Sequence, residues 1–168
     1  MSIYGTLAKP EDFDAYYELK SEEDNIHWSG HKTAPDREKM LERYQEYLSN
    51  PDRYDFHFFT DETKQDFIGY YFLEVVGPDR NILDGGMGVL KRHGGKGYGT
   101  EMIRFGLEYA RDHLPFIRWV QGWVASDNVR SQGMIRPNGY VKTDETKEVI
   151  FGNGEKKLFE KHWYEIKR

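Results

Sequence analysis

Between Asn81 and Asp112 the chain reads NILDGGMGVLKRHGGKGYGTEMIRFGLEYARD, and this stretch leaves few folds open. Ile82, Leu83, Met87, Val89 and Leu90 form an apolar set interrupted by Gly85, Gly86 and Gly88, which weaken a strand and are tolerated where a backbone or a ligand comes close. Met102, Ile103, Phe105, Leu107, Tyr109 and Ala110 then recur at helical spacing. Between strand and helix lie Gly94, Gly95, Gly97 and Gly99, with Lys96, Tyr98 and Thr100 among them. Such a run lets several N–H groups turn toward one point, and the helix adds its positive dipole end and the unsatisfied donors of its first turn. The pattern predicts a phosphate-holding turn. Lys91, Arg92, Lys96 and Arg104, with His93, gather here in a chain whose formal net charge is −5; the alternative is an ordinary solvated basic loop.

The chain has 168 residues, which reads as one domain spanning 1–168. Charged residues make up 32%, hydrophobic ones 38% and aromatic ones 15%, a soluble composition too aromatic for disorder. The acidic balance excludes a general nucleic-acid binder, which needs a basic face. No apolar run approaches the roughly 20 residues of a membrane helix, and the N-terminus lacks signal-peptide order, so no membrane partner and a cytoplasmic location are expected. Cysteine is absent, which removes disulfides, thiolate nucleophiles and cysteine metal sites.

Taken in order, Ser2 to Leu7 reads as a short strand, and Pro10-Glu11-Asp12 opens a helix running to about Ser21. Asn25 to His31 reads as an irregular stretch carrying His27, Trp28 and His31, either a substrate loop or a connector pinned by its tryptophan. The His27/His31 spacing resembles a metal pair, but Gly30 interrupts the helix such a pair requires and no third ligand is evident, so no metal is expected. A second helix is expected over Asp36 to Leu48. Arg53 to Thr60 and Asp66 to Val76 make an antiparallel hairpin that the turn Gly77 to Arg80 extends into a three-strand meander. Phe116 to Ala125 reads as a buried strand, with Trp119 and Trp123 either core or pocket wall, and Val129 to Arg136 as a short helix. Tyr140 to Phe151, with an internal irregularity, and Leu158 to Ile166 close the chain as a hairpin.

This succession is an α+β order. It resembles the GNAT acetyltransferase superfamily, and two segments carry the resemblance. VLKRHGGKGYGTEM, Val89 to Met102, is similar to that family's acyl-CoA pyrophosphate turn. NVRSQGMIRPNGY, Asn128 to Tyr140, is similar to the pattern of an asparagine, a small residue three later and a glycine-aromatic pair, here Asn128, Ser131, Gly139 and Tyr140. Rival phosphate folds fit less well: Gly97 follows Lys96 where a P-loop needs Ser or Thr, and the dinucleotide glycine pattern is missing. The resemblance implies a mixed, mostly antiparallel twisted sheet of about six to seven strands flanked by about four helices.

It also implies acetyl-CoA as co-substrate, an amine acceptor (a small molecule or a protein N-terminus), and N-acetyl transfer as the reaction. A non-catalytic acyl-CoA-binding or sensing domain is the alternative, and a homodimer is an admissible assembly. Met87, Gly88 and Val89 would face pantetheine and supply an oxyanion donor, while Arg92 and Gly94 to Thr100 would hold the pyrophosphate. Asp84 stands where the family often has its general base, with Glu74 as second candidate and a turn aspartate as the plain alternative. Asn128 would hold pantetheine or a water, or simply cap a helix. Two positions depart from the pattern. Gly94 replaces the usual Gln or Arg, and Ile135 replaces a thiolate-protonating tyrosine, leaving Ser131, Tyr140 or water for that task. The second departure inclines toward the branch acting on ribosomal-protein or other protein N-termini, polyamines and amino sugars.

Overall fold

The computed structural model describes residues 2–168. Its strands are β1 (Tyr4–Leu7), β2 (Arg53–Phe59), β3 (Phe67–Val76), β4 (Ile82–Val89), β5 (Trp119–Ala125), β6 (Val141–Ile150) and β7 (Lys156–Glu165). The helices are α1 (Phe13–Lys20), α2 (Glu23–Trp28), α3 (Arg37–Ser49), α4 (Tyr98–His113) and α5 (Val129–Ile135). All seven strands join one sheet in the order β1-β2-β3-β4-β5-β7-β6. Every neighbouring pair is antiparallel except β4 with β5, which is parallel. This is the mixed α+β sheet expected, with the meander and the terminal hairpin in their predicted places. The irregularity inside the last hairpin is a register shift between Lys142 and Thr146.

Apolar side chains cover both faces of the sheet. On one, Tyr71, Leu73 and Leu83 pack with Met102, Ile103, Leu107 and Ala110 of α4. On the other, Tyr70 and Leu90 pack with Phe13, Tyr16 and Leu19 of α1 and Met40 and Tyr44 of α3. Each fully buried side chain of this size contributes roughly 1.5–3 kcal/mol, so the two layers hold the sheet from both sides. Local chemistry sets the helix ends: Asp36 accepts the Lys39 N–H at 3.0 Å at the start of α3, and Asn128 accepts the Ser131 N–H at 3.1 Å at the start of α5. No described helix is long and apolar enough to cross a membrane.

Two local readings change. Asn25 to His31, expected as irregular, is mostly helical, because Gly30 ends a helix that the sequence reading took it to forbid. With φ +77 it sits just past Trp28, its N–H bonded to His27 C=O at 3.0 Å and the His31 N–H bonded to Ile26 C=O at 3.1 Å. This is a glycine-terminated helix end, so His27 lies on α2 and His31 beyond it. The strand expected from Phe116 begins at Trp119, because the chain still turns through Ile117, whose N–H bonds Leu114 C=O.

His57 is fully buried against the rings of Tyr16 and Tyr44, with no hydrogen-bond partner for either ring nitrogen among the described residues. Burial pushes its pKa down to about 4. The unfolded chain therefore takes up a proton that the fold refuses, and stability falls as the pH drops below about 6.5, by about 3 kcal/mol at pH 4. Denaturant titrations of His57→Phe should show a pH dependence flatter by that amount over this window, and a curve parallel to the parent would remove His57 as the acid-sensitive group.

Candidate active site

β4 and β5 pair over only four positions, Ile82 with Trp119 to Gly85 with Gly122. Beyond that point β4 stays with β3 as far as Val89, and β5 stays with β7 as far as Ala125. The sheet therefore opens into two wings. The Leu90 N–H bonds Ile68 C=O on β3 at 2.8 Å, and strand alternation turns the backbone groups of Val89 and Met87 the other way, into the gap. Of the two oxyanion donors expected, Val89 N–H faces the opening and Gly88 N–H faces β3.

A cavity of about 290 Å³ passes through this gap. Tyr70, Phe72 and Lys20 line it from the α1 side, and Tyr71, Ile103, Ile135 and Tyr140 from the α4 side. A second hollow of about 110 Å³ adjoins it, bounded by Gly88, Val89, Lys91, Arg130 and Met134. Trp28, Met87, Asn128 and Ser131 border both, so the two lie side by side. The mouth lies beside the glycine turn, where Gly95 and Gly97 have φ +74 and +81 and nothing stands within 4 Å of where a Cβ would be. Gly97 immediately precedes α4, so the turn offers open backbone N–H groups at a helix N-terminus.

The turn is fixed from behind. His93 is buried with Nε2 2.8 Å from Asp66 Oδ1, and Arg92 donates to Glu18, Asp66 and Phe67 C=O. The His93 hydrogen bond, helped by Arg92, holds the Asp66 carboxyl below the usual carboxylate range. Arg92 is thus committed to α1 and the β2–β3 turn, while Lys96 is solvent-exposed.

Asp84 sits one pair before the gap opens, with Glu74 and Gln121 as its cross-strand neighbours. Burial lifts its pKa above the ordinary carboxylate range; the Gln121 amide, 3.5 Å away, and Lys147 oppose that shift, and Glu74 adds to it. Gln121 lines the cavity. Glu74 accepts a hydrogen bond from Asn50 at the end of α3, and neither it nor Asp84 borders the cavity, Asp84 standing behind Gln121. Tyr71 and Tyr140 meet across the cavity, hydroxyl to hydroxyl at 3.3 Å. Burial pushes the Tyr71 phenol up to about 12, and burial with the Tyr71 neighbour holds Tyr140 well above the usual tyrosine range. Both are therefore neutral hydroxyls.

Of the three residues expected on the acceptor side, only Trp28 borders the cavity. His27 buttresses it, edge-on to Trp28 and to Phe151 of the last hairpin. His31 lies in separate surface hollows with Thr33 and Pro35, because Gly30 has turned the chain away. Sequence reasoning passed over Tyr71, Gln121 and Arg130. Adjacent Tyr70 and Tyr71 on one strand were the available signal for the first, since a period of two sends them to opposite faces.

The acetyltransferase (GNAT) domain family matches residues 6–141. The chain belongs to the GNAT acetyltransferase family. Membership places it among N-acetyltransferases, as Val89 to Met102 and Asn128 to Tyr140 implied. No curated protein matches it in sequence. Among solved structures, spermidine N-acetyltransferase from Vibrio cholerae in complex with CoA and spermine superposes with a TM-score of 0.85 at 17% identity, covering 98% of this chain and 95% of that one. A putative phosphinothricin N-acetyltransferase gives 0.79 at 16% identity, over 99% and 100% of the two chains. A dodecameric form of the Vibrio cholerae spermidine enzyme gives 0.78 at 18%, over 97% and 93%. At these identities the likeness is one of fold.

If Asp66 is what holds the GNAT turn in place, Asp66→Ala should speed hydrogen exchange of the His93 and Gly94 amides about tenfold, as losing a charge-assisted bond would do. Exchange in the second half of α4 should not change; unchanged exchange at His93 and Gly94 would show that the turn holds itself.

Proposed function

We propose that the protein transfers an acetyl group from acetyl-CoA to a primary amine, a small molecule or a protein N-terminus. The cavity running from the glycine turn, through the sheet, to the α1 face carries this reading: it gives a donor and an acceptor opposite ways in and one meeting point. The open N–H groups of Gly95 to Thr100 fit a pyrophosphate, and the gap-facing backbone of Met87 and Val89 fits an amide-bearing arm. Acetyl-CoA, when bound, supplies the thioester acyl carbon.

The chain's own groups then have separable tasks. Val89 N–H, fixed by the β3–β4 ladder, stabilises negative charge on the carbonyl oxygen. Asp84 takes the proton of the ammonium through water, and burial, by raising its pKa, makes it a stronger base than an ordinary carboxylate. The amine nitrogen bonds to the acyl carbon as the carbon–sulfur bond breaks, Tyr140, backed by Tyr71, gives its proton to the thiolate, and the second proton, shed by the nitrogen as it becomes an amide, replaces it through water; Ser131 is the alternative donor. Asn128, whose Oδ1 caps α5, has its amide nitrogen left for the arm or a water.

An ammonium suits the acceptor side. Lys147 places its own 4.3 Å from the Trp123 ring centre and near enough to Asp84 to oppose that residue's pKa rise. Polyamines, named for two of the structural neighbours, head the amines to test, followed by an amino sugar and a short peptide N-terminus. The second reading, a domain that binds acyl-CoA without turnover, draws on Ile135, an apolar cavity wall where a proton donor would serve. Incubation with acetyl-CoA and this panel should release free thiol with at least one amine; coenzyme binding without thiol release on any of them favours the sensor.

Two variants test the parts. Gly97→Glu, adding bulk and like charge at a φ of +81, should abolish coenzyme A binding in calorimetry, and retained affinity would remove the turn from the site. Asp84→Asn should lower kcat by about 100-fold or more near neutrality and let the rate climb with pH as the amine deprotonates unaided. A profile that keeps the parent's acid limb would transfer the role to Glu74 or water.

A further inference from the structure

The turn lacks the polar side chain that its family resemblance leads one to expect at Gly94, and Arg92 is turned away from the mouth. A guanidinium nevertheless stands at that spot. A Cβ built on Gly94 would lie 2.6 Å from Arg130 Nη2 and 3.4 Å from its Cζ. Arg130 belongs to the first turn of α5, on the far side of the gap, and reaches across to the glycine turn. It borders the hollow at the mouth together with Lys91, Asn128 and Ser131. Glu22 and Asp24 stand on the same rim, and the Glu22 carboxylate is taken by the Lys91 N–H at 3.0 Å. Unlike Arg92, which is ion-paired to Glu18 and Asp66, Arg130 has no salt-bridge partner among the described residues.

We propose that Arg130 is the cation that binds the coenzyme pyrophosphate, occupying from α5 the place left free at Gly94. This rests on the acyl-CoA reading above. A guanidinium presents paired donors to phosphate oxygens, a stronger anchor than backbone amides alone, and here it converges with the N-terminus of α4 on one point. Gly94 has φ −68 and ψ 153, an extended conformation open to any residue, so backbone strain does not demand glycine there. What demands it is the arginine. A side chain at position 94 and the Arg130 head compete for one volume, and because the head ends a long flexible chain it swings out before the turn deforms. Loss of either feature therefore has the same consequence for the ligand.

The test is a double-mutant cycle in the full-length protein, with coenzyme A and 3′-dephospho-coenzyme A as calorimetric probes and thermal unfolding as the check on folding. Arg130→Ala should raise Kd about tenfold or more for both probes, as removal of a charge-assisted contact does. It should also weaken the salt dependence of binding. Gly94→Gln alone should weaken binding to a similar extent by displacing the guanidinium. In the Arg130→Ala background, Gly94→Gln should cost nothing further and restore part of the affinity. An Arg130→Ala protein that binds coenzyme A as tightly as the parent overturns the proposal. So does a loss seen with coenzyme A but not with the dephospho form, which assigns Arg130 to the 3′-phosphate, and so do independent, additive losses in the cycle. A folded parent that binds neither probe would instead defeat the acyl-CoA reading itself.

Discussion

A β-sheet satisfies its backbone by pairing, and interrupting that pairing in mid-sheet leaves polar groups that need other partners. Here the parallel ladder between β4 and β5 stops after Gly85 and Gly122. The strands themselves do not end: each continues with its outer neighbour, so the gap has rigid walls. Everything chemical in the molecule follows from that interruption. It turns the Met87 and Val89 backbone into unpaired donors and acceptors, gives the cavity a way through the sheet, and sets Asp84 at the closed end where burial raises its pKa.

The two wings hold together because other elements bridge them. On one face, α4 and α5 span the opening, with Met134 of α5 packed against the core beneath α4. On the opposite face, the turn of the last hairpin meets the end of α2, where the Gly152 N–H bonds Gly30 C=O at 2.7 Å and Phe151 lies against His27. Trp28 is held between that contact and Lys157, whose ammonium lies 5.6 Å from its ring centre. The Trp28 side of the cavity is therefore framed by residues far apart in the sequence.

How much of this was legible in the sequence depends on the range over which each signal acts. The meander, the amphipathic α4 and the glycine turn are local, written in periods of two and 3.6 and in glycine placement, and they stand where read. Gly30 was seen as a break, yet whether a glycine breaks a helix or ends it depends on the acids before it and the chain after it. The basic cluster at the turn was visible, but its division of labour was not. Arg92 faces Asp66 because β2 and β3 bring that carboxylate behind the turn, while Arg130 arrives from another helix. Tyr71 and Tyr140 meet only once β3, β5 and the end of α5 share a face, which no spacing within one segment encodes.

The pairing of β5 with β7 also fixes when the protein becomes competent. β5 is held at its distance from β4 partly by β7, almost the last segment of the chain, and the frame around Trp28 closes only when residues near 151 reach α2. During synthesis, the meander and α4 can assemble around a finished glycine turn while the second wing is still missing. A growing chain thus carries its glycine turn long before the second wing of the gap, and premature termination ahead of β7 leaves a turn with no cleft behind it.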